Sequence, residues 1–243
     1  MEETLLPLDS ALPAQANTAT TENSPLNTEK VARYRDDLTK IGKKMCRVFV
    51  GDDPEPYTVH HDLIAASSEF FNRALKGEFK EKDGDVKLSH QDTSTFAAYH
   101  KWLYTNAFEP SGRDHDHHFE LYFLGDVVQD ERFRNSVIDL IIKVVADTGT
   151  YPVISSLIVV AFENTPKSSK LRQLLIDFWT RLATPSWYEF DGCQGGDGQY
   201  PSEFLYEVLK ASSVSRGKPR KSGLPWDQDP CQYHDHNDTP MCA

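Results

Sequence analysis

The chain has 243 residues and a formal net charge of −11, which arises from 37 acidic against 26 basic side chains. This balance argues against a general nucleic-acid binder, because a phosphate backbone favours a basic protein face. Hydrophobic residues make up 39% of the chain, enough for a core. The sequence contains no apolar run of about 18 residues, the length that would predict a membrane span.

The N-terminal segment shows neither a secretory signal nor a regular pattern. It lacks the basic and apolar regions of a signal peptide. Across the whole chain, the four cysteines are too scattered for a disulfide framework. We therefore expect an intracellular protein, in the cytoplasm or the nucleus. Residues 1–28 predict a disordered tail. The next segment predicts a helix over 29–41, stopped by Gly42, whose apolar stripe consists of Val31, Tyr34, Leu38 and Ile41.

A hairpin and a core helix follow. Residues 45–50 and 57–59 are short runs of strand-forming residues around a turn rich in Asp and Pro, and they predict a β-hairpin. The stretch 59–75 predicts one core helix, with Asp62 at its entrance. The apolar stripe of this helix consists of Leu63, Ile64, Phe70, Phe71, Ala74 and Leu75. Residues 86–88 are long enough only for a third strand.

Helices dominate the rest of the chain. Asp92 predicts the cap of a helix that carries Phe96, Tyr99, Leu103 and Tyr104 on one side. A polar loop through residue 118 precedes helices near 121–128, 133–144, 152–161 and 171–182. The Gly-rich segment 191–199 predicts a loop, residues 201–210 predict a short final helix, and the residues from 211 onward predict a flexible tail. This order indicates an α+β fold, with a small three-stranded sheet capped by helices and an all-helical extension after it.

Several separated motifs arrive in the order that one family shows. The pattern has an aromatic residue and Val-His before the core helix, a Leu-Leu-like pair, Ser-x-Phe-Phe, a Leu-anchored strand and Trp-Leu-Tyr-Thr. This chain supplies Tyr57, Val59-His60, Leu63-Ile64, Ser68-Glu69-Phe70-Phe71, Val86-Lys87-Leu88, Phe96 and Trp102-Leu103-Tyr104-Thr105. The stretch 29–146 resembles a BTB/POZ domain, and the whole chain resembles the compact BTB proteins of filamentous fungi.

The resemblance implies a domain organisation and a core. It implies a BTB/POZ domain over 29–146, a helical extension over 147–210 and a flexible Cys/His-containing tail over 211–243. The core residues that it implies are Val59, His60, Leu63, Phe70, Phe71, Trp102, Leu103 and Tyr104. The family often has a Ser-Asp pair before the first strand, whereas this chain has Lys44-Met45. A homodimer would therefore use the stripe on the helix over 29–41.

The resemblance also implies a protein-interaction module rather than an enzyme. The sequence contains no Gly-rich phosphate loop, nucleophile elbow or metalloprotease helix. In cullin-binding relatives a hydrophobic-x-Glu triplet follows the core helix, and Phe79-Lys80-Glu81 occupies that place here. One hypothesis is an adaptor or scaffold that recruits substrates to a cullin-type ubiquitin ligase. The alternatives are a self-associating structural or transcription-linked module, and a degenerate metal-binding enzyme centred on the tail.

The histidine, cysteine and basic clusters have simpler interpretations. His60-His61 has no nucleophile motif beside it and favours a structural role, and the histidines of 114–118 fall in a predicted loop. Residues 216–221 form a basic cluster that either binds an importin or is a solvated linker. The tail places Cys231, His234, His236 and Cys242 at spacings that suit tetrahedral zinc. Because this segment is terminal and has no second helix, we expect it to be disordered, without a metal or another cofactor.

Overall fold

The computed structural model describes residues 41–76, 85–108, 114–149, 151, 155–185, 187, 200–215, 223–237 and 239–242. Several sequence predictions fall outside these ranges. They are the disordered tail over 1–28, the helix over 29–41 up to residue 40 with Val31, Tyr34 and Leu38, the triplet with Phe79 and Glu81, the loop over 191–199 and the basic cluster 216–221. Ile41, the last residue of the predicted stripe, is described, and it packs half-buried against the core.

A mixed sheet contains the first strands. Its order is β2–β1–β3, with β1 at Met45–Val50, β2 at Tyr57–His60 and β3 at Asp85–Leu88. β1 pairs antiparallel with β2, placing Cys46 opposite Val59, and parallel with β3, placing Val48 opposite Val86. Cys46, Val48 and Val50 are buried and the residues between them are more exposed, as the two-residue period of a strand requires. The predicted hairpin and third strand are confirmed.

The predicted core helix is two helices, α1 (His61–Ser67) and α2 (Glu69–Leu75). The chain is extended at Ser68, with φ −122° and ψ 123°. The Ser68 hydroxyl accepts a hydrogen bond from the N–H of Phe71 at 3.1 Å and donates one to the carbonyl of Val128. Ser68 therefore caps α2, and the prediction of one continuous helix was wrong. Asp62 lies in the first turn of α1, which has no side-chain cap.

Three helices complete the cluster around the sheet: α3 (Thr93–Thr105), α4 (His115–Val127) and α5 (Glu131–Thr148). Asp92 accepts a hydrogen bond from the N–H of Thr95 at 2.9 Å, which confirms the predicted cap. The histidines predicted in a loop instead form the first turn of α4, and His115 and His118 are buried. Phe133 of α5 packs edge-on against Tyr99 and Trp102 of α3, with ring centroids 4.7 and 4.9 Å apart.

The extension contains α6 (Ser155–Asn164), α7 (Lys170–Leu182) and α8 (Ser202–Ser215). Arg172 on α7 is buried where these helices meet. Its guanidinium donates to the carbonyls of Phe162 and Thr165 and, at 3.0 Å, to the Thr165 hydroxyl. It also lies 3.3 Å from a carboxylate oxygen of Glu203 on α8. One buried cation thus links the three helices of the extension.

The C-terminal segment packs against the helices, unlike the flexible tail that the sequence predicts. It forms a short helix, α9 (Pro225–Gln228), and a 3₁₀ turn at Pro230–Tyr233. Trp226 and Tyr233 are only 3% and 0% exposed, and Trp226 packs edge-on against Phe178 of α7 at 4.6 Å. The prediction of a tail with little packing was therefore wrong for residues 223–237 and 239–242. Its two aromatic residues find their partners on a helix distant in sequence.

The fold class is α+β, as predicted. A small three-stranded sheet lies against a cluster of helices, and an all-helical extension follows in the chain. Buried apolar side chains from the sheet, the helical cluster, the extension and the tail form one core. Among the described helices, none is long and apolar enough to cross a membrane.

Candidate functional site

The core residues implied by the sequence motifs come together in the structure. Val59, Leu63, Phe71, Trp102 and Leu103 are buried, whereas His60, Phe70 and Tyr104 are half-buried at the edge of this core. These positions are far apart along the chain, yet they pack together in one core. Phe70, predicted as an equal partner of Phe71, lies further from the centre of that unit.

His60 is committed to a structural contact. Its Nδ1 lies 2.9 Å from the Tyr104 hydroxyl, which also accepts a hydrogen bond from the backbone N–H of His60 at 3.1 Å. His61 places its Nδ1 2.9 Å from a carboxylate oxygen of Asp62. The two histidines thus stabilise the junction of β2 with α1, and His60 also links this junction to α3.

A buried carboxylate stands behind α1. Asp130 accepts hydrogen bonds from the Ser67 hydroxyl at 2.5 Å, the Tyr99 hydroxyl at 2.9 Å and the N–H of Phe133 at 2.9 Å. Burial raises the pKa of this carboxyl above its usual range, and the hydrogen bonds that it accepts oppose that shift. Asp130 caps α5 and joins it to α1 and α3.

A polar groove of about 520 Å³ opens beside this carboxylate. The groove is lined by residues of α1, by the start of α2 and by Gln129, Glu131, Arg132 and Thr239. Among the described residues that line it, there is no histidine or cysteine. Ser67 lies on its wall, and the Ser67 hydroxyl donates a hydrogen bond to Asp130.

A second group of chemically active side chains lies in the tail. The donor atoms of Cys231, His234, His236 and Cys242 all lie within 4.8 Å of one another. Cys231 Sγ is 3.1 Å from His236 Nε2, and Cys242 Sγ is 3.1 Å from His234 Nδ1 and 3.8 Å from His236 Nε2. The four residues that the sequence singled out thus converge on one point, and they are able to hold a metal ion.

Both imidazoles of this cluster are oriented from behind. His234 Nε2 lies 3.1 Å from Oδ1 of Asp139 on α5, and His234 is only 7% exposed. His236 Nδ1 lies 3.4 Å from the Thr239 hydroxyl, which donates to Glu131 at 2.7 Å. Each ring therefore turns one nitrogen to the cluster and the other to a protein oxygen.

Residues at every fourth position of α5 hold the tail in place. Glu131 accepts hydrogen bonds from the backbone N–H groups of Asn237 and Thr239, at 3.0 and 2.8 Å. Asn135 exchanges two hydrogen bonds with the backbone of Asp235, at 2.7 and 3.0 Å. Asp139 contacts His234. We call Glu131, Asn135 and Asp139 the α5 row.

The sequence analysis missed the α5 row. The sequence carried one signal. An acid, an amide and an acid recur with a spacing of four on a helix that also has an apolar stripe, and residues with this spacing share one side of the helix. Their partners are backbone groups and side chains of the tail, about a hundred residues away. The pattern marks a polar face but does not show that the face has a partner.

Among known proteins, the likenesses found are to solved structures. No protein-family model matches the chain, and no curated protein matches it. The chain is similar to the solved structure of the BTB (Tramtrack and Bric a brac) domain of human gigaxonin, with a TM-score of 0.34 and 9% sequence identity. The match covers 51% of this chain and 99% of that domain.

Proposed function

We propose that this chain is a non-catalytic protein-interaction module of the BTB type with a helical extension. The observation that carries the proposal is that the motif residues form one core. Val59 of β2, Phe71 of α2 and Trp102 of α3 are each 0% exposed. These residues shape a scaffold and offer no reacting group. The chemically active side chains beside them, His60, Ser67 and Asp130, are held in hydrogen bonds within the fold.

For the partner, we propose a cullin-type scaffold, with the chain acting as a substrate-recruiting adaptor. Phe79 and Glu81 lie in the chain between the end of α2 and the start of β3. Both elements are anchored in the core, through Phe71 and Ala74 on one side and Val86 and Leu88 on the other. An aromatic side chain there would enter an apolar groove of the partner, and the neighbouring carboxylate would pair with a basic partner residue.

The test is binding of a purified cullin to the full-length chain. The double variant Phe79→Ala and Glu81→Ala should abolish binding while leaving the melting temperature within a few degrees of the parent. The matched control is Glu78→Ala with Lys80→Ala, which changes the same segment and should keep binding. Absence of cullin binding by the parent, or a double variant that binds as tightly as the parent, would refute the adaptor proposal.

The second candidate is a self-associating module without a ligase role. The feature that favours it is the apolar stripe of Val31, Tyr34, Leu38 and Ile41, because Ile41 is only half-buried by its own chain. A homodimer would cover this stripe. Light scattering of the full chain should then give twice 27.6 kDa, and Leu38→Glu should return it to the monomer mass. A monomeric parent protein would contradict this candidate.

A further inference from the structure

We propose that Cys231, His234, His236 and Cys242 bind one zinc ion, which clamps the C-terminal tail to α5. The inference goes beyond the interaction function proposed above and does not depend on it. It rests on the convergence of four ligand side chains, on the oxygen atoms behind both imidazoles, and on the contacts that order the backbone between the ligands.

The donor atoms are spaced as a tetrahedral ion requires. With Zn–S near 2.3 Å and Zn–N near 2.0–2.1 Å, the edges of the tetrahedron are about 3.3–3.8 Å long. The distances from Cys231 Sγ to His236 Nε2 and from Cys242 Sγ to His234 Nδ1 are both 3.1 Å, and Cys242 Sγ to His236 Nε2 is 3.8 Å. The two distances of 3.1 Å are slightly shorter than such an edge, and no two of the four atoms are more than 4.8 Å apart, so small movements would bring them to zinc geometry.

The second nitrogen of each imidazole fixes which atom binds the metal. The Asp139 carboxylate accepts a hydrogen bond from the Nε2–H of His234 at 3.1 Å, and this leaves the unprotonated Nδ1 to bind the ion. Thr239 plays the same part for Nδ1 of His236 and leaves Nε2 for the ion. A carboxylate or hydroxyl behind a ligating histidine is the usual outer shell of a zinc site, where it sets the tautomer and the ring orientation.

The backbone between the ligands is ordered independently of them. Asn135 pairs with the backbone of Asp235, which lies between the two histidines. Glu131 binds the N–H of Thr239, between His236 and Cys242. Tyr233, next to His234, is fully buried. The ligands are thus presented by elements packed on the body of the protein, and this lowers the entropy cost of closing the site.

The ligand set points to zinc in a structural role. Two thiolates and two imidazoles suit a borderline-soft ion without a geometric preference of its own. Four protein ligands fill a tetrahedral shell and leave no position for water or substrate, so the site does not activate a nucleophile. The ion therefore holds the end of the chain and carries out no chemistry.

The first experiment measures zinc in the purified full-length protein by native mass spectrometry and elemental analysis. We expect one zinc per chain, removed by a chelator and restored by zinc alone. Cobalt put in its place should give the absorption of a tetrahedral ion with thiolate ligands. Protein without zinc that also fails to take up added zinc, or an intact mass showing a Cys231–Cys242 disulfide, would overturn the proposal.

Thiol reactivity gives a second test that needs no variant. Cys242 is exposed and Cys231 half-buried, so neither is protected by burial alone. Alkylation of both should be slow in the zinc-loaded protein, fast after chelation and slow again once zinc is returned. Cys46 is the internal control, because burial raises the pKa of its thiol to about 11 and keeps it unreactive throughout. Equal rates at Cys231 and Cys242 with and without zinc would refute the site.

Substitutions distinguish the proposed metal ligands from Asp139, which orients one of them. Cys231→Ala and Cys242→Ala should each abolish zinc retention, whereas the matched control Cys46→Ala should keep it. Asp139→Asn should weaken zinc binding about 10–100-fold in competition with a chelator, as loss of the outer shell does. Asp147→Asn, an exposed acid on the same helix, should leave the affinity unchanged. Retention by both ligand variants would refute the proposal, and unchanged affinity in Asp139→Asn would refute the role of Asp139.

Discussion

The hydroxyl of Tyr233 in the tail donates a hydrogen bond to Oδ2 of Asp177 on α7, at 2.7 Å. Tyr233 is buried and Asp177 is half-buried, and burial raises the pKa of the Asp177 carboxyl. The tail is therefore joined to the extension by a polar contact as well as by its aromatic packing. Because the two residues are 56 positions apart, the contact depends on the complete fold.

Removal of that hydroxyl should destabilise the protein. Tyr233→Phe keeps the ring and leaves the Asp177 carboxylate without its donor, so the free energy of unfolding should fall by about 1–3 kcal/mol. Urea denaturation measures the change. The control is Tyr206→Phe, since Tyr206 is 63% exposed on α8 and should change stability by less than about 0.5 kcal/mol. Equal effects of the two substitutions would contradict the role assigned to Tyr233.

Asp130 should make a pH-dependent contribution to stability. Burial raises its pKa, so the folded state holds this proton more tightly than the unfolded state does. The contribution is full below the unfolded pKa of about 3.9 and is lost as the pH rises through the folded pKa. The stability difference between the parent and Asp130→Asn should therefore shrink from about pH 4 toward neutrality.

The control for this pH effect is a carboxyl with the opposite shift. The Ser94 hydroxyl and then the N–H of Thr95 hydrogen-bond to Asp92 and lower its pKa. Its contribution is present above the unfolded pKa and is lost as the pH falls through the folded pKa. The stability difference between the parent and Asp92→Asn should thus grow with rising pH. Parallel pH trends in the two variants would show that the assignment for Asp130 is wrong.

The two adjacent phenylalanines of α2 should differ in their effect. Phe71 is fully buried, and Phe71→Ala should lower the free energy of unfolding by about 3–5 kcal/mol because it leaves a cavity. Phe70 is half-buried, so Phe70→Ala should lower it by about 1–2 kcal/mol. Chemical denaturation of both variants is the measurement. A larger loss of stability for Phe70→Ala than for Phe71→Ala would contradict the assignment of Phe71 to the centre of the core.

Arg172 should not be replaceable by lysine. Its planar guanidinium serves the carbonyls of Phe162 and Thr165 and the Thr165 hydroxyl together, which a single ammonium cannot do. Arg172→Lys should therefore cost about 1–3 kcal/mol for each buried acceptor left without a donor. Arg73→Lys is the matched control, since its pair with Glu69 is exposed and is worth less than about 1 kcal/mol. A thermal melt of each variant measures the difference.

The parts of the fold that depend on local sequence were predictable. The strand-forming residues over 45–50 and the carboxylate of Asp92 before α3 act on residues a few positions away, and both predictions are confirmed. The break at Ser68 was not predictable, because its hydroxyl donates a hydrogen bond to the carbonyl of Val128, which lies 60 positions later in the chain. The apolar stripe over 59–75 continues through this break, so periodicity alone does not reveal it.

The candidate metal site was only half predictable. The ligand types and their spacing were visible in the sequence, and they suited zinc. What orders the ligands was not visible, because the α5 row binds tail residues about a hundred positions away, in part through their backbone groups, which leave no pattern in a sequence. From sequence alone the tail appeared to have too little apolar surface to fold. Trp226 and Tyr233 instead bury their rings against the body of the protein.

The α5 row also affects the rate of folding. Contacts between α5 and the tail span 95 to 108 residues, so they close a loop that contains the whole extension. Closing such a long loop slows folding, because the chain loses conformational entropy before the stabilising contacts form. A chain truncated before residue 234 lacks these contacts, so the side of α5 that carries the row should be more accessible to proteases and chaperones.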